Sequence, residues 1–253
     1  TYTATDAAGN TTTCTFDVIV EDNEAPTASC VAGPLTVQLD SNGVATITAD
    51  DINDGSSDNC TAANALTLAI DISSFDCDDI GSTTVTLTVT DENSNSSTCT
   101  TTVNIVDTVA PAITCPATQT QSLGAGCVVA LANYTSLATT SDNCGSIASV
   151  TQSPPAGTSI LGETTTTVTL TVTDTNGNQN TCDFDVITVD TTDPAITCPA
   201  DITTSNDTGD CSAVVTYTAP VGTDDCTGAT TTQTAGLPSG SAFPVGVTTN
   251  TFE

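Results

Sequence analysis

Two residue types in this chain can do chemistry, cysteine and carboxylate. Among 253 residues there are 12 Cys and 30 Asp plus Glu, with no Lys, Arg or His. No thiol can form a Cys–His nucleophile pair, and no Cys-x-x-Cys spacing occurs that would hold zinc. Twelve Cys in an acidic chain point instead to disulfides and an oxidising compartment. Among the carboxylates, Asp91-x-Asn93-x-Asn95 and Asp174-x-Asn176-x-Asn178 put an oxygen-bearing side chain at every other position, the spacing of a calcium loop. Asp6, Asp22, Asp107 and Asp190 extend the candidate calcium ligands. The closing Glu of an EF-hand is missing, and Asp and Asn are also ordinary turn formers. Calcium is thus a candidate cofactor, and none is required.

Other chemistry is weaker. Asp207-Thr208-Gly209 matches one loop of an aspartic protease, but that mechanism needs two loops whose carboxylates share a proton. Paired carboxylates for glycoside hydrolysis would lack a stacking platform, since aromatics are 3%. A His base, a Lys Schiff base and an arginine finger are all impossible. We expect no enzyme here. Phosphate contacts need Lys or Arg, which excludes nucleic acid and anionic membrane surfaces as direct partners. No apolar run approaches the roughly 20 residues of a membrane span. Asn-x-Ser/Thr sequons at Asn10, Asn59, Asn95, Asn133 and Asn206 are candidate glycan sites. Thr108 and Thr191, each after an Asp, are candidate O-glycan sites; covalent glycans are therefore a second expected addition.

The elements that position these residues recur along the chain. Cys14, Cys99 and Cys182 each follow a Thr-Asp and a polar turn; Cys30, Cys115 and Cys198 form a second series; Cys60, Cys144 and Cys226, each after two Asx residues, form a third. The spacings give a unit of roughly 84 residues, the size of a small β-sandwich. Full repeats run over 23–107 and 108–189, residues 1–22 read as the last strands of a repeat, and 190–253 as the first part of another. The two partial segments make up about one more period, and joining them head to tail preserves the cysteine spacing. That phase predicts either a protomer completed by residues 1–22 of the next copy or a window of a continuous tandem chain.

Within a repeat, alternation marks strands. Val85, Leu87 and Val89 alternate with Thr, as do Val168, Leu170 and Val172; Cys182, Phe184 and Val186 alternate with polar residues. There are 58 Thr, a β-branched residue that suits pleated strands. Asn42-Gly43, Asp54-Gly55 and Asn176-Gly177 punctuate them as turns. No helical period is present. The fold class is all-β: tandem immunoglobulin-like β-sandwiches of six or seven short strands.

The ordered set Ile196-Thr197-Cys198-Pro199-Ala200-Asp201-Ile202, Gly209-Asp210-Cys211-Ser212-Ala213-Val214-Val215, Gly236-Leu237-Pro238-Ser239-Gly240-Ser241-Ala242-Phe243-Pro244-Val245-Gly246 and Thr3-Ala4-Thr5-Asp6-Ala7-Ala8-Gly9-Asn10 resembles the HYR (hyalin repeat) domain. That is an immunoglobulin-like module of extracellular adhesion and matrix proteins and of large bacterial surface proteins. The resemblance covers the chain as tandem copies. The repeat 23–107 departs from it, lacking the second Cys and carrying Ser73-Ser74-Phe75-Asp76-Cys77 instead. Four Cys per repeat allow three connectivities. The family often keeps only the first and last, so the resemblance implies Cys30–Cys99 and Cys115–Cys182. It leaves Cys60–Cys77, Cys127–Cys144 and Cys211–Cys226, with Cys198 pairing to Cys14 of the next copy. The function expected is a structural subunit of an extracellular or cell-surface filament, assembled head to tail with itself or as one continuous tandem chain, with an adhesive or matrix role. The alternative is a ligand-binding adhesin, or a stalk of a larger surface protein, taking carbohydrate or surface ligands.

Overall fold

The computed structural model describes all 253 residues. β-Branched alternation becomes β-structure almost throughout. The chain divides into two compact units, one made of Thr1–Ala110 with Asp142–Ser146, the other of Pro111–Ser141 with Ile147–Glu253.

In the first unit a four-stranded sheet has the order Leu35–Gln38, Ser96–Val106, Gly81–Thr90, Thr67–Ile70. The long hairpin of Gly81–Thr90 and Ser96–Val106 is antiparallel, whereas Leu35–Gln38 runs parallel to Ser96–Val106. Val85, Leu87 and Val89 face inward with no exposure, while the Thr between them are half-buried. The opposing layer brings Leu39, Ile47, Ile52 and Phe75 onto them. It includes the two-stranded pair Ala45–Thr46 and Ser74–Phe75. A short helix, Ala49–Ile52, interrupts the all-strand expectation. Its cause is local: the Asp51 carboxylate accepts the Thr48 N–H at 2.7 Å, capping a single turn that drops Ile52 into the core.

The second unit repeats the plan. Its sheet has the order Gln119–Ser122, Gln179–Val189, Thr165–Asp174, Ile147–Ser153. Val168, Leu170 and Val186 have no exposure, and they pack with Leu131, Tyr134 and Phe184. Tyr134 meets Phe184 edge to face at 5.3 Å, one of the few aromatic pairs in a chain so poor in rings. Thr188, 1% exposed, is a buried hydroxyl that is fully used: it donates to the Gly162 carbonyl at 2.7 Å and accepts the Thr164 N–H at 2.9 Å.

Short pairs make up the remainder. Tyr2–Thr5 and Thr11–Cys14 form an exposed hairpin in the first unit. In the second, Ser212–Val215 pairs with Ser241–Pro244, and Gln233–Ala235 with Thr251–Phe252. The span 23–107 contains six strands and the span 108–189 contains eight, against the expected six or seven. Strands as short as Ala112–Thr114 and Thr139–Ser141 carry no alternation long enough to be legible.

Candidate functional site

Four cystines are built into the fold. Cys30–Cys99 and Cys115–Cys182 each tie the first strand region of a repeat to its last, with Cα atoms 5.8 and 5.7 Å apart. The remaining expected bridges, Cys60–Cys77, Cys127–Cys144 and Cys211–Cys226, are corrected by the structure. Cys77 pairs with Cys144 and Cys127 with Cys226, across sequence separations of 67 and 99 residues. Cys14, Cys60, Cys198 and Cys211 are exposed free thiols. Within one chain Cys198 therefore has no disulfide to Cys14.

The reason lies in how the loops point. Asp142 presents Cys144 by accepting its N–H at 3.1 Å, and Asp224 presents Cys226 in the same way at 2.8 Å. Each such Asx turn aims the thiol outward from its own repeat, toward a turn of the repeat before it. Two turns receive them. One is Gly124–Val128, where the Cys127 N–H donates to the Gly124 carbonyl and Cys127 takes a φ of 60°. The other is Asp40–Val44, where the Gly43 N–H donates to Asp40 and Gly43 takes a φ of 73°. Gly43 lies one repeat length before Cys127. A Cβ at Gly43 would stand 2.6 Å from Cys77 Sγ and 3.0 Å from the Asn143 carbonyl oxygen. The Cys77 sulfur thus fills the space that a cysteine at position 43 would take, and the divergent repeat keeps its bridge from a different point in the sequence.

The Asp residue of each candidate calcium loop caps its own turn. Asp91 Oδ1 accepts the Asn93 and Asn95 N–H groups and its Oδ2 the Asn95 amide. Asp174 does the same with Asn176 and Asn178, and Asp6 with Ala8 and Asn10. These are hairpin turns in which the Asn10, Asn95 and Asn178 side-chain amides donate to the Asp. Burial opposes ionisation of Asp174, but the Asn178 side chain and the Asn178, Asn176 and Gly177 N–H groups outweigh it and hold the carboxyl below its ordinary range. The convergence is between segments. In the first unit Asp22, Asp58 and the buried Asp91 bring ligand oxygens within 4.8 Å of one another, and Asp107 and Asp142 lie as close. In the second unit Asp190, Asp224, Asp225 and Cys226 form such a group. Asp58, Asp142, Asp224 and Asp225 were missed as candidate ligands. Their signal was the recurring Asx-Asx-Cys, legible as a repeat marker but read only as cysteine context.

Asp22 and Asp58 each use one oxygen on the local backbone, Asp22 Oδ1 for the Glu24 N–H and Asp58 Oδ2 for the Cys60 and Thr61 N–H groups. The other oxygens, Asp22 Oδ2 and Asp58 Oδ1, are withdrawn from water and accept no N–H or O–H. The negative field is felt next door: the Asp22 charge, then burial, then Asp58 and Glu24 push the Cys60 thiol above its usual range.

The remaining candidates are scattered. Thr108, Thr191, Asn10, Asn59, Asn133 and Asn206 are exposed. Asn95 is half-buried, and its amide nitrogen already donates to the Asp22 carbonyl and to Asp91. Asp207 sits in an exposed turn, its Oδ2 accepting the Val214 N–H at 3.0 Å, with no second such loop beside it. No helix is long and apolar enough to cross a membrane. Four cystines in one fold belong to an oxidising setting, outside the cell or on its surface.

Comparison with known proteins bears on the same repeats. The family model described as HYR domain matches residues 106–188 and 189–253. Hyalin of Strongylocentrotus purpuratus is 31% identical over 266 residues, covering 100% of this chain and 21% of hyalin, so the chain spans about a fifth of that relative. Among solved structures, human protocadherin-24 EC1-2 aligns with a TM-score of 0.35 and 13% identity, over 66% of this chain and 100% of that one. The protocadherin gammaB7 EC3-6 cis-dimer aligns with a TM-score of 0.35 and 14% identity, over 96% of this chain and 74% of that one.

Proposed function

This chain belongs to the HYR domain family, and from that premise we propose that it is a non-catalytic, tension-bearing element of an extracellular adhesive or matrix fibre. The observation that carries the reading is the alternation of cystines. Cys30–Cys99 and Cys115–Cys182 close single repeats, while Cys77–Cys144 and Cys127–Cys226 join one repeat to the next. A globular binding module gains stability from the first kind alone. The second kind adds covalent continuity across junctions, which matters to a chain that is pulled along its length. The absence of Lys, Arg and His removes ion pairs as junction contacts, so cystine is the strong cross-link available.

The reading includes self-association head to tail or in continuous tandem. Its support is the exposure of apolar residues on the short-stranded segments: Val18, Ile19 and Val20 at 75–90% and Val245 and Val247 at 74–97%. Apolar surface of that extent favours cover by a further sandwich layer. It also includes glycans at exposed positions such as Thr108, Thr191 and Asn133.

Calcium at Asp22, Asp58 and Asp91 belongs to the same proposal. A carboxylate oxygen shielded from water is favoured when a cation stands beside it. Two such oxygens beside a third carboxylate form an acceptor-only set that a cation would neutralise, and the chain has no cationic side chain to supply one. An all-oxygen set of this kind suits a hard divalent ion. Asp22, Asp58 and Asp91 would hold it, and it would pin the segment around Asp22 to the Gly81–Val106 hairpin.

Electron microscopy of the native particle tests the main reading. A filament with a regular density for each repeat is expected; a discrete globule would overturn it.

A further inference from the structure

The two junction bridges are built alike, and the parts of a third are present but unjoined. In both bridges the giver is an Asx-Asx-Cys loop: Asp142-Asn143-Cys144 and Asp224-Asp225-Cys226. Asp58-Asn59-Cys60 is the same loop. Asp58 Oδ2 accepts the Cys60 N–H at 2.8 Å, as Asp142 and Asp224 accept those of Cys144 and Cys226 at 3.1 and 2.8 Å. Its thiol is exposed and free. In both bridges the receiver is the tight turn that opens a short strand of the preceding repeat, Asp40–Val44 with the Cys77 sulfur in place, and Gly124–Val128 with Cys127. The third such turn is Asp207–Ser212. The Asp207 N–H donates to Ser212 and the Asp210 N–H to Asp207, which closes a turn one residue longer than Gly124–Val128. It opens the strand Ser212–Val215 and carries Cys211, also exposed and free.

We propose that Cys60 and Cys211 are the two halves of one intermolecular junction disulfide, made between the Asx-Asx-Cys loop of one chain and the Asp207–Ser212 turn of a second copy. The argument is equivalence within the molecule. Every other loop of the giver type is bonded, each to a sulfur at a turn of the receiver type. Cys211 is the one free thiol in a turn of the receiver type among these residues, and a second copy presents that turn to Cys60 with matching chemistry. The Cys60 and Cys211 side chains are both exposed, as an intermolecular bridge requires. The inference rests on the fibre reading, since it names the surface through which copies join. The chemistry is two successive exchanges with a small-molecule disulfide. One cysteine thiolate attacks that disulfide and expels a thiolate; the second cysteine thiolate attacks the mixed disulfide and expels the other. The two cysteines lose two electrons and two protons in all, and the small disulfide becomes two thiols.

The test uses the full chain with Cys14 and Cys198 changed to Ser, so that only this route is open. Two proteins are made on that background, C60S and C211S. Both substitutions fall on exposed free thiols, so neither removes a bridge that holds the fold. Each is incubated alone, and then the two together, with oxidised and reduced glutathione. Enough salt is added to screen the repulsion between chains of charge −30. Non-reducing electrophoresis reads the products, and Glu-C peptide masses locate the bridge. The expected result is a covalent dimer in the mixture, absent from either protein alone, carrying the Cys60–Cys211 cross-link. The proposal is overturned if the mixture stays monomeric, or if C60S or C211S alone dimerises as well as the mixture, which would mark indiscriminate oxidation of exposed thiols. Filaments that persist in micrographs without this bridge would sink the inference and leave the fibre reading standing; a bridged dimer that never extends into filaments in the unsubstituted protein would do the reverse.

Discussion

Pulling on the chain distinguishes the cystine network described above from any set of bridges confined to single repeats. The perturbation is force applied through handles attached beside Cys30 and Cys226, with and without a reductant. Between Cys30 and Cys226 the reduced chain spans nearly 200 residues, which at about 3.5 Å each extends to roughly 69 nm. With the four cystines intact, the shortest covalent path crosses Cys30–Cys99, follows the ~28 residues from Cys99 to Cys127, and crosses Cys127–Cys226, which limits extension to ~10 nm. The pairing expected from the sequence would follow ~16 residues from Cys99 to Cys115 and ~29 from Cys182 to Cys211, which allows ~16 nm. Optical tweezers resolve that difference. The expected record is a short extension when oxidised and a gain of roughly 60 nm when reductant is added. An oxidised extension of ~16 nm or more would refute the junction bridges, because either covalent route caps the length whatever the sheets do.

Three further outcomes follow from named contacts. Chelation with EDTA is expected to lower the melting temperature, and Asp58→Asn to bind one equivalent of calcium fewer by equilibrium dialysis, while Asp50→Asn, at an exposed site outside the cluster, changes neither; equal binding by all three proteins would remove the site. Thr188→Val keeps the shape of the side chain but strands the Gly162 carbonyl and the Thr164 N–H, at a cost of about 1–3 kcal/mol read from urea unfolding; an unmoved midpoint would show the hydroxyl to be idle. Asp71 accepts the Thr86 N–H at 2.8 Å, which, against a smaller opposing effect of burial, holds its carboxyl below the ordinary range. Its folded pKa is depressed, so its contribution is present above the unfolded value of about 3.9 and is lost as pH falls through the folded one. The stability gap between wild type and Asp71→Asn should therefore close below about pH 4, and a gap that holds constant to pH 2 would contradict it.

The strands were legible because a two-residue period is a local property. Val85, Leu87 and Val89, and again Val168, Leu170 and Val172, alternate with Thr, and once one face is buried a sheet has no other register open to it. The long hairpins followed from that alternation. The helix Ala49–Ile52 did not, since one capped turn leaves no periodicity to read. The Asp-x-Asn-x-Asn segments were legible as turns, but spacing does not say which atom donates. In the folded chain the Asn95 and Asn178 amides donate to their own Asp.

By itself the sequence determined the repeat, the all-β class, the chemistry without cations and the faces of the long strands. All of these are set by residues near one another or by composition. Tertiary structure alone decided which cysteines meet and which carboxylates share a centre. A disulfide needs Cα atoms within about 7 Å of each other, a condition on space that sequence spacing does not contain. Cys77 shows why: it reaches Cys144 by occupying room that Gly43 leaves empty, so the same junction is joined from a point some 34 residues away from the one the repeat pattern would indicate.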